Sequence, residues 1–508
     1  MKSKFDIVSR SQMRIIEKIG AEDQKITYEG LMKNAGEGAY EIIKEKFDIK
    51  DKSFLVFVDK GNNGGDALII CNKLLNDTDK LKIVFTSPRE DMEEQLQRIR
   101  ETLPNFKMTI WEELKEEKEQ YDFIIDGIYG TGFRGNLSKR HKEICRFINE
   151  NSAYKISLDL PSGTVCDSGR LDEDVVRADL TICFHAKKPC HILEPSRANS
   201  GEIVVCPIGI NDKKISFDED AVYFINRETA EPLLPKKSEL IHKGRAGRVM
   251  IIGGKRGMTG SVAMAALAAL RCGCGYVNVC VTKEVYRIIS PILLPCVFTI
   301  LPENEEGGIS GSATTVILKE LFKADSVVIG CGMGVSDDTR EIVKTVCASF
   351  EGKIVIDADG INCAKLRDIK QSKAEIILTP HYKEIGVLIG KDAKFARENR
   401  VELARKISND LGITVLLKSY QTVIAHKDGR LYICDRANGG MAKAGSGDVL
   451  SGIIGALSSQ GECKSAILGC YIHSRAGELA RERHTAYSMQ PTDVISEIEN
   501  VFKELIAD

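Results

Sequence analysis

The chain has 508 residues, of which 43% are hydrophobic and 28% charged, and its formal net charge is −2. This length allows two or more domains, each large enough to bury a core. A nearly neutral chain with only short basic runs carries no electrostatic signature of a nucleic-acid or membrane-surface partner.

Neither a signal peptide nor a membrane-spanning segment is predicted, because no apolar run is long enough. The 16 cysteines are scattered, and several fall within apolar runs, which is typical of reduced thiols in a cytoplasmic protein. The segment "CFHAKKPCH" contains Cys183, His185, Cys190 and His191, but no second pair with zinc-site spacing follows. A structural zinc site is therefore not predicted.

The first half of the chain alternates apolar runs with helical patterns. A helix is predicted over 9–20, and strands over 54–59, 81–86, 123–129, 155–161 and 180–184. Helical patterns such as 66–76 and 89–102 fall between the strands. This alternation predicts βαβ units and a mainly parallel sheet.

A polar, proline-bearing connector over 226–247 interrupts the alternation. We expect the domain boundary between 220 and 240, and we divide the chain into domains 1–225 and 226–508. Strands are then predicted over 248–254, 276–281, 326–332, 353–359, 374–380 and 414–419, with a long helix over about 260–272. The halves show no aligned repeat, so the pattern predicts two different α/β domains fused in one chain.

Glycine-rich turns and aspartates follow several strands of the first half. The turn in "VDKGNNGGDALII" would present successive N–H groups and a helix N-terminus, an arrangement that suits phosphate, although the turn alone is equally consistent with an ordinary loop. Asp126 in "DGIYGTGFRGN" and Asp159 in "SLDLPSG" end two further strands. Open α/β sheets bind ligands at the carboxyl ends of their strands, so these motifs predict a site there.

A different glycine-rich segment, "KAGSGDVLSGIIGAL", precedes a long apolar helix in the second half. Backbone amides there could hold a transferred phosphoryl group, while Asp448 could accept the proton of an attacking hydroxyl. The alternative is a helix N-cap with tightly packed glycines, which would account for Ser446 and Asp448 but not for the closely spaced glycines and alanines.

The first-half motifs "GNNGGD", "DGIYGTGFRG" and "LDLPSG", in that order, resemble the NAD(P)H-hydrate epimerase domain. The resemblance implies a Rossmann-like parallel-sheet sandwich, with Asp159 catalytic and a potassium ion bound by Asn63, Asp126 and Ser162. Ala67 departs from the family's usual glycine. The resemblance places the hydrated dinucleotide against Asn62, Asn63, Gly64, Gly65, Asp66, Gly130, Thr131, Gly132, Phe133, Arg134, Gly135, Asn136 and Asp159.

The second-half motifs "VIGCGMG", "VIDADGIN", "LTPHYKE", "LLKSYQTVI" and the GSGD segment resemble the NAD(P)H-hydrate dehydratases of the ribokinase-like superfamily. The resemblance implies Asp448 as catalytic base, with Gly332, Gly334, His381 and Asp448 contacting the hydrated nucleotide. It implies ADP or ATP with Mg²⁺ as phosphoryl donor. The donor would be held by Lys418, Ser419, Tyr420, Gln421, Thr422, Asn438, Gly439, Gly440, Met441, Ala442, Lys443, Ala444, Gly445, Ser446 and Gly447.

This second half departs from the family pattern in three places. Ser419 replaces a glycine, Lys443 and Ala444 precede the GSGD motif, and "ANGG" stands where Thr-Gly-Asn-Pro-Gly is common. These changes affect the fine geometry expected of the nucleotide pocket and not its existence.

Together the resemblances imply a cytoplasmic cofactor-repair enzyme, expected to be a homo-oligomer, that acts on the hydrates of NADH and NADPH. One domain would interconvert the R and S hydrates, and the other would phosphorylate and dehydrate the S hydrate. An alternative is a vitamin or sugar kinase with a non-catalytic nucleotide-binding first domain. Another treats that domain as a nucleotide sensor, although a sensor would not require both Asp126 and Asp159.

Overall fold

A computed structural model describes residues 3–87, 107–114, 119–217, 221–237, 240, 242–461 and 464–507. The chain divides into two compact units, Met1–Tyr223 and Phe224–Asp508. The helical pattern predicted over 89–102 lies outside the described residues. Within the described ranges, no helix combines the length and apolar character needed to cross a bilayer.

The first unit is built on a seven-stranded sheet whose neighbouring strands are all parallel. Its spatial order is 3-2-1-4-5-6-7. The central strands are buried on both faces, which accounts for their continuous apolar sequences. The strands are β1 Phe54–Val58, β2 Leu81–Phe85, β3 Lys107–Ile110, β4 Phe123–Gly127, β5 Tyr154–Leu158, β6 Leu180–Phe184 and β7 Glu202–Cys206.

Helices cover both faces of this sheet, each over its own apolar cluster. Helices Arg10–Asp23, Tyr28–Lys46 and Asn62–Leu74 contribute to one face, while Trp111–Leu114 and Lys139–Glu150 contribute to the other. The first helix begins in a capping box between Ser9 and Gln12. It continues three residues past Gly20, where the sequence pattern predicted its end.

The strand order reverses between β1 and β4. The connections after these two strands diverge, and a crevice opens at their carboxyl ends. Helix Asn62–Leu74 begins directly after β1, and the loop over 128–136 follows β4. The three motifs of the first half therefore meet at one edge of the sheet.

A ten-stranded sheet underlies the second unit, in the order 11-10-9-12-13-14-15-16-17-8. Strands β9 to β15 are parallel, and β16 and β17 are antiparallel. The predicted α/β class of both halves is confirmed, although β8, β11, β16 and β17 of this sheet, and β3 and β7 of the first, were not predicted. The strands are β8 Val222–Phe224, β9 Arg248–Ile252, β10 Tyr276–Thr282, β11 Val297–Leu301, β12 Ser326–Ile329, β13 Lys353–Ile356, β14 Glu375–Leu378, β15 Thr414–Leu417, β16 Thr422–Ala425 and β17 Leu431–Cys434.

The helix that follows the GSGD segment, Ser446–Ser458, is buried from Asp448 onward. It packs so closely on helix Thr259–Arg271 that a Cβ at Gly452 would lie 2.1 Å from the Ala265 carbonyl oxygen. The further helices are Arg227–Ala230, Lys283–Ile289, Thr314–Leu321, Asp337–Ser349, Ala358–Cys363, Leu366–Gln371, Tyr382–Ile389, Ala393–Glu398, Arg400–Leu411, Ser465–Ser488 and Pro491–Ile506.

A fragment spanning residues 221–508 is expected to fold by itself, because it contains the whole ten-stranded sheet and the helices listed for it. Its far-ultraviolet circular dichroism should disappear in one cooperative urea transition. A fragment spanning 235–508 lacks β8 and its bond from Ile225 N to the Ile433 carbonyl, so its midpoint should be lower. A gradual, non-cooperative signal from the longer fragment would contradict independent folding.

Candidate active sites

The carboxyl ends of β1, β4 and β5 surround a cavity of about 620 Å³ in the first unit. Ten of the predicted substrate residues line it, whereas Gly64, Gly65 and Gly135 shape the surrounding loops. Arg10, Arg14 and Glu17 from the first helix also line the cavity, and no sequence motif pointed to them. The lining residues predicted in advance are Asn62, Asn63, Asp66, Gly130, Thr131, Gly132, Phe133, Arg134, Asn136 and Asp159.

The glycines of the GNNGGD turn allow close backbone packing below the cavity. A Cβ on Gly64 would lie 1.9 Å from the Asp59 carbonyl oxygen, so a side chain cannot be accommodated without moving the backbone. Gly61 precedes the helix and supplies no side-chain cap. The first N–H groups of the helix are therefore left for a ligand in the cavity.

Asp159 is the buried acid of this cavity, and its φ of +63° places it in the left-handed region. Its carboxylate accepts hydrogen bonds from the Lys188 ammonium at 2.6 Å and the Thr131 amide at 3.0 Å. Burial by itself would raise the pKa of Asp159, but the Lys188 charge and these hydrogen bonds hold that pKa below its ordinary value. Asp159 is therefore an ionised carboxylate at neutral pH.

Lys188 is a functional residue that the sequence analysis missed. Its side chain is 1% exposed and also donates to the Phe184 carbonyl at 2.8 Å. It lies in the "CFHAKKPCH" segment, considered above for metal ligands, and the short basic run Lys187-Lys188 is predicted from the sequence to be a solvated face, which the burial of Lys188 contradicts. A lysine just after the end of β6 was the available signal, but nothing in the sequence shows that it reaches Asp159.

In two other carboxyl groups of the cavity, the pKa is shifted upward instead of downward. Burial raises the pKa of Asp66 well above its usual value, and the charges of Asp159 and Glu17 raise it further. Burial and Asp159 also raise the pKa of Glu17. Neighbouring carboxyl groups whose pKa values are shifted in opposite directions are typical of sites that transfer protons.

The predicted potassium ligands lie together beneath the cavity. The Asp126 carboxylate accepts from Ser162 Oγ at 2.6 Å, Ser162 N at 2.9 Å and Ser157 Oγ at 2.9 Å. Asn63 Nδ2 donates to the Leu158 carbonyl at 3.2 Å, whereas its buried Oδ1 has no hydrogen-bond partner among the described residues. A buried amide oxygen without a donor fits a hard monovalent cation.

In the second unit, Asp448, Asp357 and Lys418 meet at the ends of β13 and β15. Lys418 Nζ lies 2.5 Å from Asp357 Oδ1 and 3.9 Å from Glu384 Oε2. Burial and the nearby Asp357 raise the pKa of Asp448 to about 6. Asp448 can therefore accept a proton near neutral pH. Asp357 was present in a quoted motif, but the sequence analysis assigned it no role.

A cleft of about 650 Å³ opens beside these residues, in front of the Ser446–Ser458 helix. Gly445, with a φ of +97°, precedes the helix without a side-chain cap, so the first helical N–H groups lack such a partner. Among the predicted nucleotide residues, those lining the cleft are Lys418, Ser419, Tyr420, Thr422, Asn438, Gly439, Met441, Ala442, Lys443, Ser446 and Gly447.

Four predicted nucleotide residues do not line the cleft: Gln421, Gly440, Ala444 and Gly445. Gln421 is buried and donates to Asp435 at 3.1 Å. Lys443, one of the departures from the family pattern, donates to the Tyr487 carbonyl at 3.0 Å. Arg436, His473 and Ser474 line the cleft without having been predicted: Arg436 directly precedes the "ANGG" segment, and His473 and Ser474 lie on helix Ser465–Ser488, outside the quoted motifs.

His381 also lines the cleft and caps helix Tyr382–Ile389. Its Nδ1 accepts from the amides of Lys383 at 3.2 Å and Glu384 at 3.1 Å. Asp448 does not line the cleft, nor do Gly332 and Gly334, of which Gly334 donates its amide to Asp359 at 2.8 Å. Their positive φ angles, +65° and +78°, explain why glycine stands at both positions.

The acidic cluster also provides oxygen donors for magnesium. Ligand atoms of Asp357, Asp448 and Cys331 lie within 4.8 Å of one another. Magnesium prefers oxygen and is usually held by one or two carboxylates together with substrate phosphates. The two carboxylates therefore fit a magnesium–nucleotide complex, whereas the thiol does not add a preferred ligand.

Comparisons with known proteins match both halves of the chain. A family model described as NAD(P)H-hydrate dehydratase matches residues 249–500, and one described as YjeF-related protein N-terminus matches residues 28–190. The bifunctional NAD(P)H-hydrate repair enzyme of Moorella thermoacetica is 31% identical, over 98% of this chain and 97% of the relative. The Escherichia coli enzyme of the same name is 29% identical, over 95% and 91%.

Among solved structures, the chain is similar to the ADP/ATP-dependent NAD(P)H-hydrate dehydratase from Bacillus subtilis, co-crystallised with ATP/Mg²⁺. The two are 25% identical, and the match covers 56% of this chain and 98% of that chain with a TM-score of 0.49.

Replacing Gly64 by alanine is expected to destabilise the first unit by about 1–3 kcal/mol, because the new methyl group would overlap the Asp59 carbonyl. Gly61→Ala is the matched control, since its Cβ would meet no atom within 4 Å and its φ is −82°. Urea denaturation followed by circular dichroism should show a lower midpoint for Gly64→Ala only. Equal midpoints would contradict the close packing of this turn.

Proposed function

The chain belongs to the family of bifunctional NAD(P)H-hydrate repair enzymes, and on that basis we propose that its two units divide the repair between them. The enzyme is an epimerase and a dehydratase that acts on hydrated NADH and NADPH. We assign epimerisation of the R and S hydrates to residues 1–225. We assign nucleotide-dependent dehydration of the S hydrate to the ribokinase-like domain, residues 226–508.

The dehydratase assignment rests on one observation: a carboxylate with a pKa of about 6 lies in the first turn of a helix whose N-terminus faces a nucleotide-sized cleft. Asp448 takes the proton from the hydroxyl group on C6 of the hydrated ring. The hydroxyl oxygen then attacks the terminal phosphorus of the nucleotide, giving a phosphate ester and AMP from ADP, or ADP from ATP. Loss of phosphate from C6 and of a proton from C5 restores the ring double bond.

The other groups of this site would stabilise the negative charge of the nucleotide phosphates. The amides that begin the Ser446–Ser458 helix are oriented toward negative charge on the transferred phosphoryl group. Lys418, held by Asp357, adds a positive charge beside the same cleft. A magnesium ion entering with the nucleotide would offset the charge of its phosphates. Neither ADP nor ATP is favoured by a specific contact.

For epimerisation, Asp159 is the proposed acid–base group. It is an ionised carboxylate that reaches the cavity beside a buried lysine, so it can accept a proton and return it. Asn62, Asn63 and the loop over 130–136 would hold the hydrated dinucleotide. The unpartnered Asn63 Oδ1 supports a potassium ion bound with Asp126 and Ser162, which would fix the loops relative to each other.

We place the enzyme in the cytoplasm, a location supported by fifteen free thiols among the described residues. Assembly as a homo-oligomer stays a prediction.

Asp448→Asn should abolish nucleotide-dependent repair, lowering kcat by about 10²–10⁴, and should leave epimer interconversion unchanged. In the wild type, the dehydration rate should rise with pH through about 6, because the raised pKa of Asp448 leaves it protonated below that value. The absorbance of the restored dihydronicotinamide measures the loss of repair in Asp448→Asn and the pH dependence of the wild-type dehydration rate.

The control for this prediction is Asp337→Asn, a 95% exposed acid in the first turn of another helix, which should change neither rate. Near-normal repair by Asp448→Asn would contradict the proposed base. Accumulation of a stable phosphorylated product by the wild type would instead favour a small-molecule kinase.

Potassium should support epimerisation better than tetramethylammonium at equal ionic strength, because only the smaller ion can contact the buried Asn63 Oδ1. Asn63→Ala should lose most of this difference, while Asn76→Ala, an exposed control, should keep it. Conversion of purified R hydrate to S hydrate without nucleotide measures the rate. Equal rates with the two cations in the wild type would contradict the potassium assignment.

A further inference from the structure

A hydrogen-bonded chain that the proposed function does not use ends at the cavity of the first unit. Ser138, an exposed residue that lines the cavity, has its Oγ 2.8 Å from Nδ1 of His141. His141 Nε2 lies 2.9 Å from Asp59 Oδ2. A serine, a histidine and an aspartate are therefore connected in series, with the hydroxyl at the cavity end.

The surroundings of Asp59 determine which atom donates and which accepts in each of these hydrogen bonds. Burial by itself would raise the pKa of Asp59, but His141, Ser87 and the Lys60 amide lower it to about 2. The carboxylate is therefore ionised and can only accept. Its other oxygen accepts from Ser87 Oγ at 2.5 Å and from the Lys60 amide at 2.7 Å. His141 Nε2 must donate to it, which leaves Nδ1 facing the Ser138 hydroxyl at 2.8 Å and the Tyr129 hydroxyl at 3.3 Å.

Helix capping does not account for this arrangement. Ser138 does cap helix Lys139–Glu150, since its Oγ accepts from the His141 amide at 3.2 Å. A cap, however, requires only an acceptor oxygen. The imidazole of His141 and the carboxylate of Asp59 are 8% and 6% exposed, and burying such groups costs free energy unless they are paired. Their pairing behind a cavity-facing hydroxyl makes that hydroxyl a better proton donor and acceptor.

The chemistry of epimerisation requires such a second group. Removing the proton from the C6 hydroxyl forms a carbonyl, breaks the C6–N1 bond and leaves the electron pair on N1, which takes up a proton. Rotation about C5–C6 then presents the other face of the carbonyl. N1 loses its proton as it closes on C6, and the new alkoxide is reprotonated. Because the hydroxyl points to opposite faces of the ring in the two hydrates, one acid–base group cannot serve both.

We propose that Ser138, polarised by His141 and Asp59, is the second proton-transfer residue of the epimerase site and acts on the ring face opposite Asp159. His141 and Asp59 are positioning residues that act through Ser138. This inference rests on the proposed epimerase function of the first unit.

The test uses the full chain without nucleotide, so that only conversion of purified R hydrate to S hydrate is followed, by chiral chromatography. Ser138→Ala removes the hydroxyl. Ser138→Asn keeps an oxygen that can cap the helix but has no hydroxyl to exchange a proton with His141, and Ser138→Thr keeps both the cap and the hydroxyl. Thr27→Ala is the control, because it removes the capping hydroxyl of helix Tyr28–Lys46. Urea midpoints of all four variants report on stability.

Ser138→Ala and Ser138→Asn are expected to lower kcat by about 10² or more with KM within about twofold, while Ser138→Thr and Thr27→Ala retain most activity. A wild-type kcat in Ser138→Asn would show that Ser138 serves only as a helix cap and would overturn the inference. A loss in Ser138→Thr equal to that in Ser138→Ala, or a change confined to KM, would indicate packing and would also overturn it. Failure of the wild type to interconvert the hydrates would instead refute the proposed function.

Discussion

A lysine paired with a buried aspartate organises each of the two sites; Lys188 is itself buried, whereas the Lys418 side chain is 18% exposed. Lys188 lies 2.6 Å from Asp159 in the first unit, and Lys418 lies 2.5 Å from Asp357 in the second. Removing one partner of such a pair typically costs about 3–5 kcal/mol, because the other charge stays buried without compensation. In both units the pair joins segments that follow different strands, β5 and β6 in the first unit and β13 and β15 in the second.

These pairs also contribute to the different pKa values of neighbouring carboxyl groups. Lys188 keeps the pKa of Asp159 low, while burial raises that of Asp66 in the same cavity. In the second unit Asp357 binds Lys418 and Ser451, and its charge helps to raise the pKa of the adjacent Asp448. Each site therefore contains neighbouring carboxyl groups whose pKa values are shifted differently by burial and by the paired charges.

The backbone provides the second common feature. Both cavities lie where a glycine precedes a helix without a side-chain cap, Gly61 in one unit and Gly445 in the other. The free amides favour phosphate at both places. The two sheets differ beyond that point, since the first is parallel throughout and the second ends in antiparallel strands that form a wall of its cleft.

The sequence by itself determined the α/β class, most central strands and the glycine turns, because these depend on local apolar periodicity and on residues that allow tight turns. The role of Asp159 came from resemblance, whereas that of Asp448 as a base was also inferred from its place behind the glycines of the GSGD segment. Only the tertiary structure brought Lys188 to Asp159, Lys418 to Asp357, and Ser138 and His141 to Asp59. Side chains from different strand ends meet in space without a shared sequence pattern, so neither their partners nor their proton affinities could be read from the chain alone.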